Sequence, residues 1–370
     1  MDDIPFKIYS STFEKKFRIY AKNLTPKRML NYTKVQLSLK AKNPKVWGKP
    51  LSLFIEPTNI CNLKCPLCPT GNNSTPKGKG YMKFEDYTKI IDELGPTAFS
   101  VTLWNYGEPS LNKDFIKMIR YAKAAGLKVI TSTNGFMFRN KAQVQELLDS
   151  GLDELILAVD GASKESYDQY RVNGHFEELI QGIKDLAAAK KAQKKYFPYL
   201  SMQFIIMKSN EHEVEEIQEI AKDCGVDEII LKTVYLWNDA KMAEKYLPTD
   251  KKYSRYLTDE GVACKTSLRP GCDGLWIGVN INYDGTVVPC CFDTHEKFIF
   301  GNAVTSKDFY TEIWNSRKFQ AFRRNVWQDK GSVEMCKNCP TNTESQDYAR
   351  VKFSNVTLEE PAREIEAVAV

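Results

Sequence analysis

From Leu51 to about Tyr235, short apolar runs alternate with longer stretches in which apolar residues recur every three or four positions. The runs "LSLFIE" (51–56), "FSVTLW" (99–104), "KVITST" (128–133), "ELILAV" (154–159), "SMQFIIM" (201–207) and "EIILKTV" (228–234) have the length and β-branched content of strands. Between them lie helical patterns such as "KDFIKMIRYAKAAG" (113–126), "KAQVQELLDSG" (141–151) and "EHEVEEIQEIAKDCG" (211–225), each closing on a glycine, a common helix stop. Strands apolar on both faces and joined by helices predict a parallel sheet. Six such units over residues 51–235 predict an α/β fold, a partial (β/α)6 TIM-type barrel whose chemistry follows the C-terminal ends of its strands.

The pattern changes on either side. Residues 1–50 form a basic extension, and residues 236–262 read as a linker with some helix. Residues 263–345 make a cysteine-rich module containing the hairpin-like "LWIGVNINYDGTVVPCC", with Asp284-Gly285 as its turn. Residues 346–370 form a tail whose end, "EEPAREIEAVAV", suggests a loose or frayed surface helix. No internal repeat or low-complexity tract is evident. Within the module, "IWNSRKF" places aromatic residues at helical spacing, as in a core.

With 42% hydrophobic and 27% charged residues, 370 residues suffice for a large domain plus an appendage. No apolar run approaches the roughly 18 residues of a membrane span, and the N-terminus lacks the layout of a signal peptide, so a cytoplasmic location is expected. Ten cysteines are there more plausibly ligands or buried thiols than disulfides. The net charge of +5 is too mild to suggest a nucleic-acid partner. It is uneven, however, with twelve Lys/Arg against three Asp/Glu in residues 1–50. A solvated helical cap is the favoured reading of that excess, ahead of a dock for an acidic redox partner, an anionic substrate or a membrane surface.

"EPTNICNLKCPLCPTGNN" (56–73) leaves the first predicted strand carrying Cys61, Cys65 and Cys68. A structural zinc site normally takes four protein ligands, and His175, His212 and His295 all lie far off in the sequence. A disulfide would leave one thiol over. A cubane iron–sulfur cluster is normally held by four thiolates, so three leave one iron open to a substrate or cofactor. Structural zinc and inert thiols are the alternatives.

Here the chain resembles the radical S-adenosylmethionine (SAM) enzymes. "CNLKCPLC" follows the first strand, and "YGEP" (106–109) follows the second in the manner of their Gly-Gly-Glu-type motif, with Tyr106 replacing the first glycine. "TSTNG" (131–135) follows the third strand. "AVDGASKESYDQYRVNG" (158–174) follows the fourth, with Ala158 in place of a serine. The resemblance implies a [4Fe–4S] cluster on Cys61, Cys65 and Cys68 whose open iron takes the amino and carboxylate groups of SAM. It implies reductive cleavage to a 5′-deoxyadenosyl radical that abstracts hydrogen from a substrate. It also assigns Glu108 and the backbone near Gly107 to the SAM ammonium, Ser132 and Asn134 to its ribose or carboxylate, and Arg171 to its carboxylate. A flavodoxin or ferredoxin-type electron donor is implied as well.

Cys272, Cys290, Cys336 and Cys339 form a second set, in which "GTVVPC" gives G-x4-C and "CKNC" gives C-x2-C. Four thiolates suit either a closed cluster or structural zinc. The stretch resembles the SPASM/twitch extension of radical SAM enzymes, which implies an auxiliary [4Fe–4S] cluster. No cysteine follows Cys339, so one such cluster is expected and two in all. Cys291 could replace Cys290 as ligand. Cys264 reads as a free thiol, Cys224 as a small core residue, and His295 as a remote acid–base candidate.

The module is similar to that of the 2-deoxy-scyllo-inosamine dehydrogenases. That implies oxidation of an alcohol carbon to a carbonyl in a sugar- or aminocyclitol-like molecule, with the auxiliary cluster as electron acceptor. A maturase that crosslinks or epimerises a ribosomal peptide or protein is the alternative. A zinc-stapled adaptor without catalysis is the reading from another class.

Overall fold

The computed structural model describes residues 24–75, 78–236, 240–257, 263–264, 270–337, 339 and 347–353. The six predicted strands are all present: β1 (Ser52–Ile55), β2 (Ser100–Thr102), β3 (Lys128–Thr133), β4 (Glu154–Ala158), β5 (Tyr199–Ile206) and β6 (Glu228–Thr233). They pair in parallel in sequence order. Leu53, Ile55, Val101, Val129, Leu155 and Ile229 are wholly or almost wholly buried, as their unbroken apolar runs require. The helices between them cover the outer face. Phe84–Leu94, for example, turns Tyr87, Ile90, Ile91 and Leu94 inward at helical spacing. The predicted helices appear as Phe115–Ala124, Lys141–Leu148 and Val214–Asp223, each ending shortly before its glycine.

The linker contains the helix Ala240–Tyr246 and β7 (Tyr256–Leu257), which pairs antiparallel with β8 (Ala263–Cys264) at the start of the module. The side chain of Cys264 lies outside the described residues. The hairpin of the cysteine-rich module is β9 (Gly278–Ile281) with β10 (Thr286–Val288), and β11 (Gly301–Asn302) pairs with β10. Gly285 turns it with φ +84°, a conformation that favours glycine.

This hairpin does not stand apart as a separate layer. β9 pairs in parallel with β1, so the module extends the barrel sheet from its first edge. At the other edge β12 (Asp347–Lys352) pairs antiparallel with β6. Residues 347–352, assigned by sequence to the tail, are therefore a strand. Arg350 holds it in place, with Nη1 3.0 Å from Glu228 Oε1. The tail beyond 353, with its expected surface helix, lies outside the described residues. The whole sheet runs β11-β10-β9-β1-β2-β3-β4-β5-β6-β12.

The extension is bound near the C-terminal end of its described part. Trp276 donates to Asn43 O, Trp314 to Gly48 O, and the buried Arg323 to Pro44 O. Arg323 also lies over the rings of Trp314 and Phe319, at 4.2 and 4.0 Å from their centroids. The aromatics of "IWNSRKF" are thus core, as expected, and Cys224 is buried as well. Among the described residues no helix is long and apolar enough to cross a membrane.

Candidate active site

The first cysteine loop leaves the C-terminal end of β1 and folds back on itself. Thr58 Oγ1 donates to Gly80 O, Asn59 Nδ2 to Gly78 O, and Cys68 N–H to Cys65 O at 3.1 Å. Two neighbouring loops grip it. Glu108 N–H donates to Ile60 O, and Lys64 N–H donates to Val172 O, each at 2.9 Å. Gly107 allows the first of these approaches. A Cβ there would sit 2.0 Å from Thr58 O, closer than any side chain permits.

The result is a cavity of about 370 Å³ at the barrel mouth, lined by Cys61, Cys65 and Cys68 together. Gly107, Glu108, Ser132, Asn134 and Arg171 line the same cavity. The structure therefore brings together every residue expected at the first site.

Glu108 is 2% exposed and accepts four hydrogen bonds. Ser110 N–H and Oγ and Thr133 Oγ1 reach Oε1, and Asn134 N–H reaches Oε2. Burial still pushes its carboxyl up, the four donors opposing that shift. Asn134 Nδ2 donates to Asn62 Oδ1 at 2.9 Å and approaches Cys61 Sγ at 3.7 Å. Arg171 caps the helix Lys164–Tyr170, and its Nε and Nη2 grip the buried Asp160. Its Nη1 lies 3.7 Å from Cys65 Sγ. Asp160 is fixed in turn by Ile205 N–H, at 2.7 Å from Oδ1.

Burial pushes the Cys61 thiol up to about 12, with Leu63 N–H pulling the other way. It raises Cys65 and Cys68 too, against the nearby Arg171 and backbone donors respectively. Metal loading of such thiols must therefore release protons. Among the described residues no three His, Cys, Asp or Glu side chains converge closely enough to hold a single metal ion. Three thiols spaced around a cavity fit a cubane, which spreads its ligands over several metal atoms.

The second set gathers near β9 and β10. Cys272 and Cys336 both feel Cys339 as a neighbouring charge, and Cys290 feels Cys336 and Cys339. Cys291 lies among them too, feeling Cys339 and Cys272, and burial drives it and Cys336 up to about 12. Both adjacent cysteines thus face the set. His295 hydrogen-bonds its neighbour Thr294 at 3.0 Å and does not line the cavity.

Sequence reasoning missed the contact between the two sites. Tyr106 lines the cavity, and its hydroxyl donates to Cys291 O at 2.6 Å. Phe292 reaches the cavity wall and packs on Tyr235, ring centroids 4.9 Å apart. Gln203 and Lys232 also line it, and a polar residue inside an otherwise apolar strand was the available signal. Arg255, buried in the linker, reaches the mouth through Thr233 and carried no such signal.

Two stretches of the chain match family models. Residues 55–224 match the Radical SAM superfamily, and residues 272–340 match SPASM, an iron-sulfur cluster-binding domain. The second interval begins on Cys272 and ends one residue past Cys339. The chain is similar to the PqqA peptide cyclase of Bradyrhizobium diazoefficiens, 25% identical over 318 residues that cover 80% of each chain. It is similar to the mycofactocin maturase MftC of Mycobacterium ulcerans, 26% identical over 78% of this chain and 80% of that one. Among solved structures, Streptococcus suis SuiB bound to S-adenosylmethionine superposes with a TM-score of 0.58 at 15% identity, covering 85% of this chain and 79% of SuiB. That likeness shows the fold.

Proposed function

We propose, on the premise that this chain is a radical SAM enzyme carrying a SPASM domain, that it removes hydrogen from a peptide and forms a new bond within it. The carrying observation is that the two relatives compared over 78 to 80% of this chain are a PqqA peptide cyclase and a mycofactocin maturase by name.

Cys61, Cys65 and Cys68 would hold a [4Fe–4S] cluster in the cavity. When bound, that cluster and SAM supply a carbon radical able to take hydrogen from an unactivated carbon. The chain's own residues do the positioning. Glu108, held rigid by its four donors, turns a carboxylate toward the SAM ammonium, and the loop at Gly107 supplies backbone beside it. Ser132 and Asn134 offer hydrogen bonds to the ribose or carboxylate. Arg171, with two of its donors on Asp160, keeps Nη1 beside Cys65 for the SAM carboxylate. Phe292 and Tyr235 close the mouth against water on the side of the second cysteine set. That set, Cys272, Cys290, Cys336 and Cys339, would hold one auxiliary cluster, and a flavodoxin or ferredoxin-type protein would be the electron donor.

A second reading is oxidation of a hydroxyl-bearing carbon in a sugar- or aminocyclitol-like molecule. The four-cysteine set Cys272, Cys290, Cys336 and Cys339 favours it, because four thiolates close one cluster and leave it an electron acceptor's part.

The test uses anaerobically reconstituted enzyme with SAM and a chemical reductant, offered candidate ribosomal peptides or aminocyclitols. A peptide should stimulate 5′-deoxyadenosine release and lose hydrogen by mass spectrometry. Stimulation by an aminocyclitol, with every peptide silent, would replace the first reading by the second.

A further inference from the structure

The helix Pro26–Lys40 is inverted relative to an ordinary surface helix. Its buried residues are Arg28, Asn31, Val35 and Ser38, spaced three and four apart, so they share one face. Three of those four are polar. Arg28 donates to Gly95 O, Ala125 O and Gly126 O, closing the C-terminal ends of two barrel helices. Asn31 donates to Lys49 O and Thr97 O. Arg28 Nη1 and Nη2 and the Asn31 amide are thus satisfied by the backbone they cover.

Val35 and Leu39 pack inward with them, but three further apolar side chains face outward. Leu30 and Leu37, seven residues apart and so on one line, are 58% and 50% exposed, and Met29 beside them is 42% exposed. Trp47, tied back to the helix through its N–H to Ser38 Oγ, is 43% exposed. Lys27, Lys34, Lys40, Lys42 and Lys45 are exposed around them. Residues 24–50 contain no Asp or Glu at all.

Outward aliphatic side chains framed by lysines combine the two attractions that bind a helix to an anionic lipid surface, apolar area and charge. We propose that this face seats the protein on an anionic bilayer, with Leu30, Leu37 and Met29 entering the headgroup region and the lysines meeting lipid phosphates. Charge selects among the possible occupants. A second copy would bring lysines against lysines, whereas an anionic surface complements them all. The position agrees with this role. Gly95, Thr97, Ala125 and Gly126 precede β2 and β3, so the helix lies at the N-terminal ends of the strands. The cysteine loop leaves the other end, and seating on lipid keeps the cavity mouth turned away from it. The same separation places the basic helix far from any electron donor at that mouth.

Flotation tests this with the full-length holoprotein and vesicles of phosphatidylcholine alone or with phosphatidylglycerol added. The protein should float with the anionic vesicles only. Leu30→Ser with Leu37→Ser, and separately Lys34→Glu with Lys40→Glu, should each weaken that binding more than tenfold. Thermal melting and SAM cleavage should be unchanged, because these side chains face solvent. Absence of binding to anionic vesicles would overturn the proposal. So would binding that survives loss of both leucines, the mark of a charge-only dock for an acidic protein. A dimer in vesicle-free solution that the leucine variant dissolves would overturn it as well.

Discussion

Cys61, Cys65 and Cys68 ride on one loop after β1, whereas Cys272, Cys290, Cys336 and Cys339 are collected from a helix start, a hairpin and a short C-terminal helix. The first set is shaped by local turns and by two neighbouring loops that bond to it. The second comes together only when β9 has paired with β1 and the Trp314–Arg323 core has formed. A local site can lose its metal while the fold around it persists. A site assembled over long range makes metal and fold interdependent. The two sites should therefore fail differently.

The largest effect comes from the local site. Replacing Cys61, Cys65 and Cys68 together by alanine should reduce SAM cleavage to background. Iron should fall from about eight per chain to about four if two cubanes form in the wild type. Circular dichroism should change little, because these residues lie on a loop beyond the sheet, and melting should shift only through the small cluster in which Cys65 is buried. A collapse of the fold in this variant would erase the contrast between the sites.

Replacing Cys336 and Cys339 by alanine should do the reverse. SAM cleavage uncoupled from product should persist, product should disappear, and melting should shift down, because both side chains are buried beside the module's core. Unchanged product formation would remove the second site from the mechanism. Next in size is the choice between neighbours. Both Cys290 and Cys291 lie near the set, and the G-x4-C spacing of "GTVVPC" favours Cys290. Cys290→Ala should lose the auxiliary iron and Cys291→Ala should keep it, as read by iron analysis and spectroscopy of the reduced protein.

The same contrast explains what could be read from the chain. "KVITST" coincides with β3, and "EIILKTV" runs one residue past β6, because buried parallel strands announce themselves as apolar runs. The cysteine trio and the residues after β2, β3 and β4 were legible because each belongs to a short contiguous motif. The parallel pairing of β9 with β1 was not legible. It joins segments more than two hundred residues apart through backbone hydrogen bonds, which leave no local pattern. β12 was missed for a similar reason, since its place is set by the free edge of β6. The helix Pro26–Lys40 was legible in part. Its exposed lysines fit the solvated cap they suggested, but Arg28 and Asn31 turn inward to loop carbonyls, a partnership only the tertiary structure reveals.

The smallest prediction concerns a hydrogen bond that ties the sites together. Tyr106 stands where the resembled motif has a glycine, lines the cavity beside Gly107 and donates to Cys291 O. Tyr106→Phe keeps the ring and removes only the hydroxyl, so the cavity wall stays in place. It leaves a carbonyl without that donor, which costs about 1 kcal/mol. If the bond serves only to hold the module against the barrel, the melting temperature should fall slightly and the ratio of SAM cleaved to product formed should stay constant. If it also fixes the distance between the two cysteine sites, that ratio should rise while melting changes by the same small amount. The second outcome is expected. Cys291 adjoins Cys290 in the second set, and Tyr106 lines the cavity with Cys61, Cys65 and Cys68, so its side chain stands between the two cysteine sets.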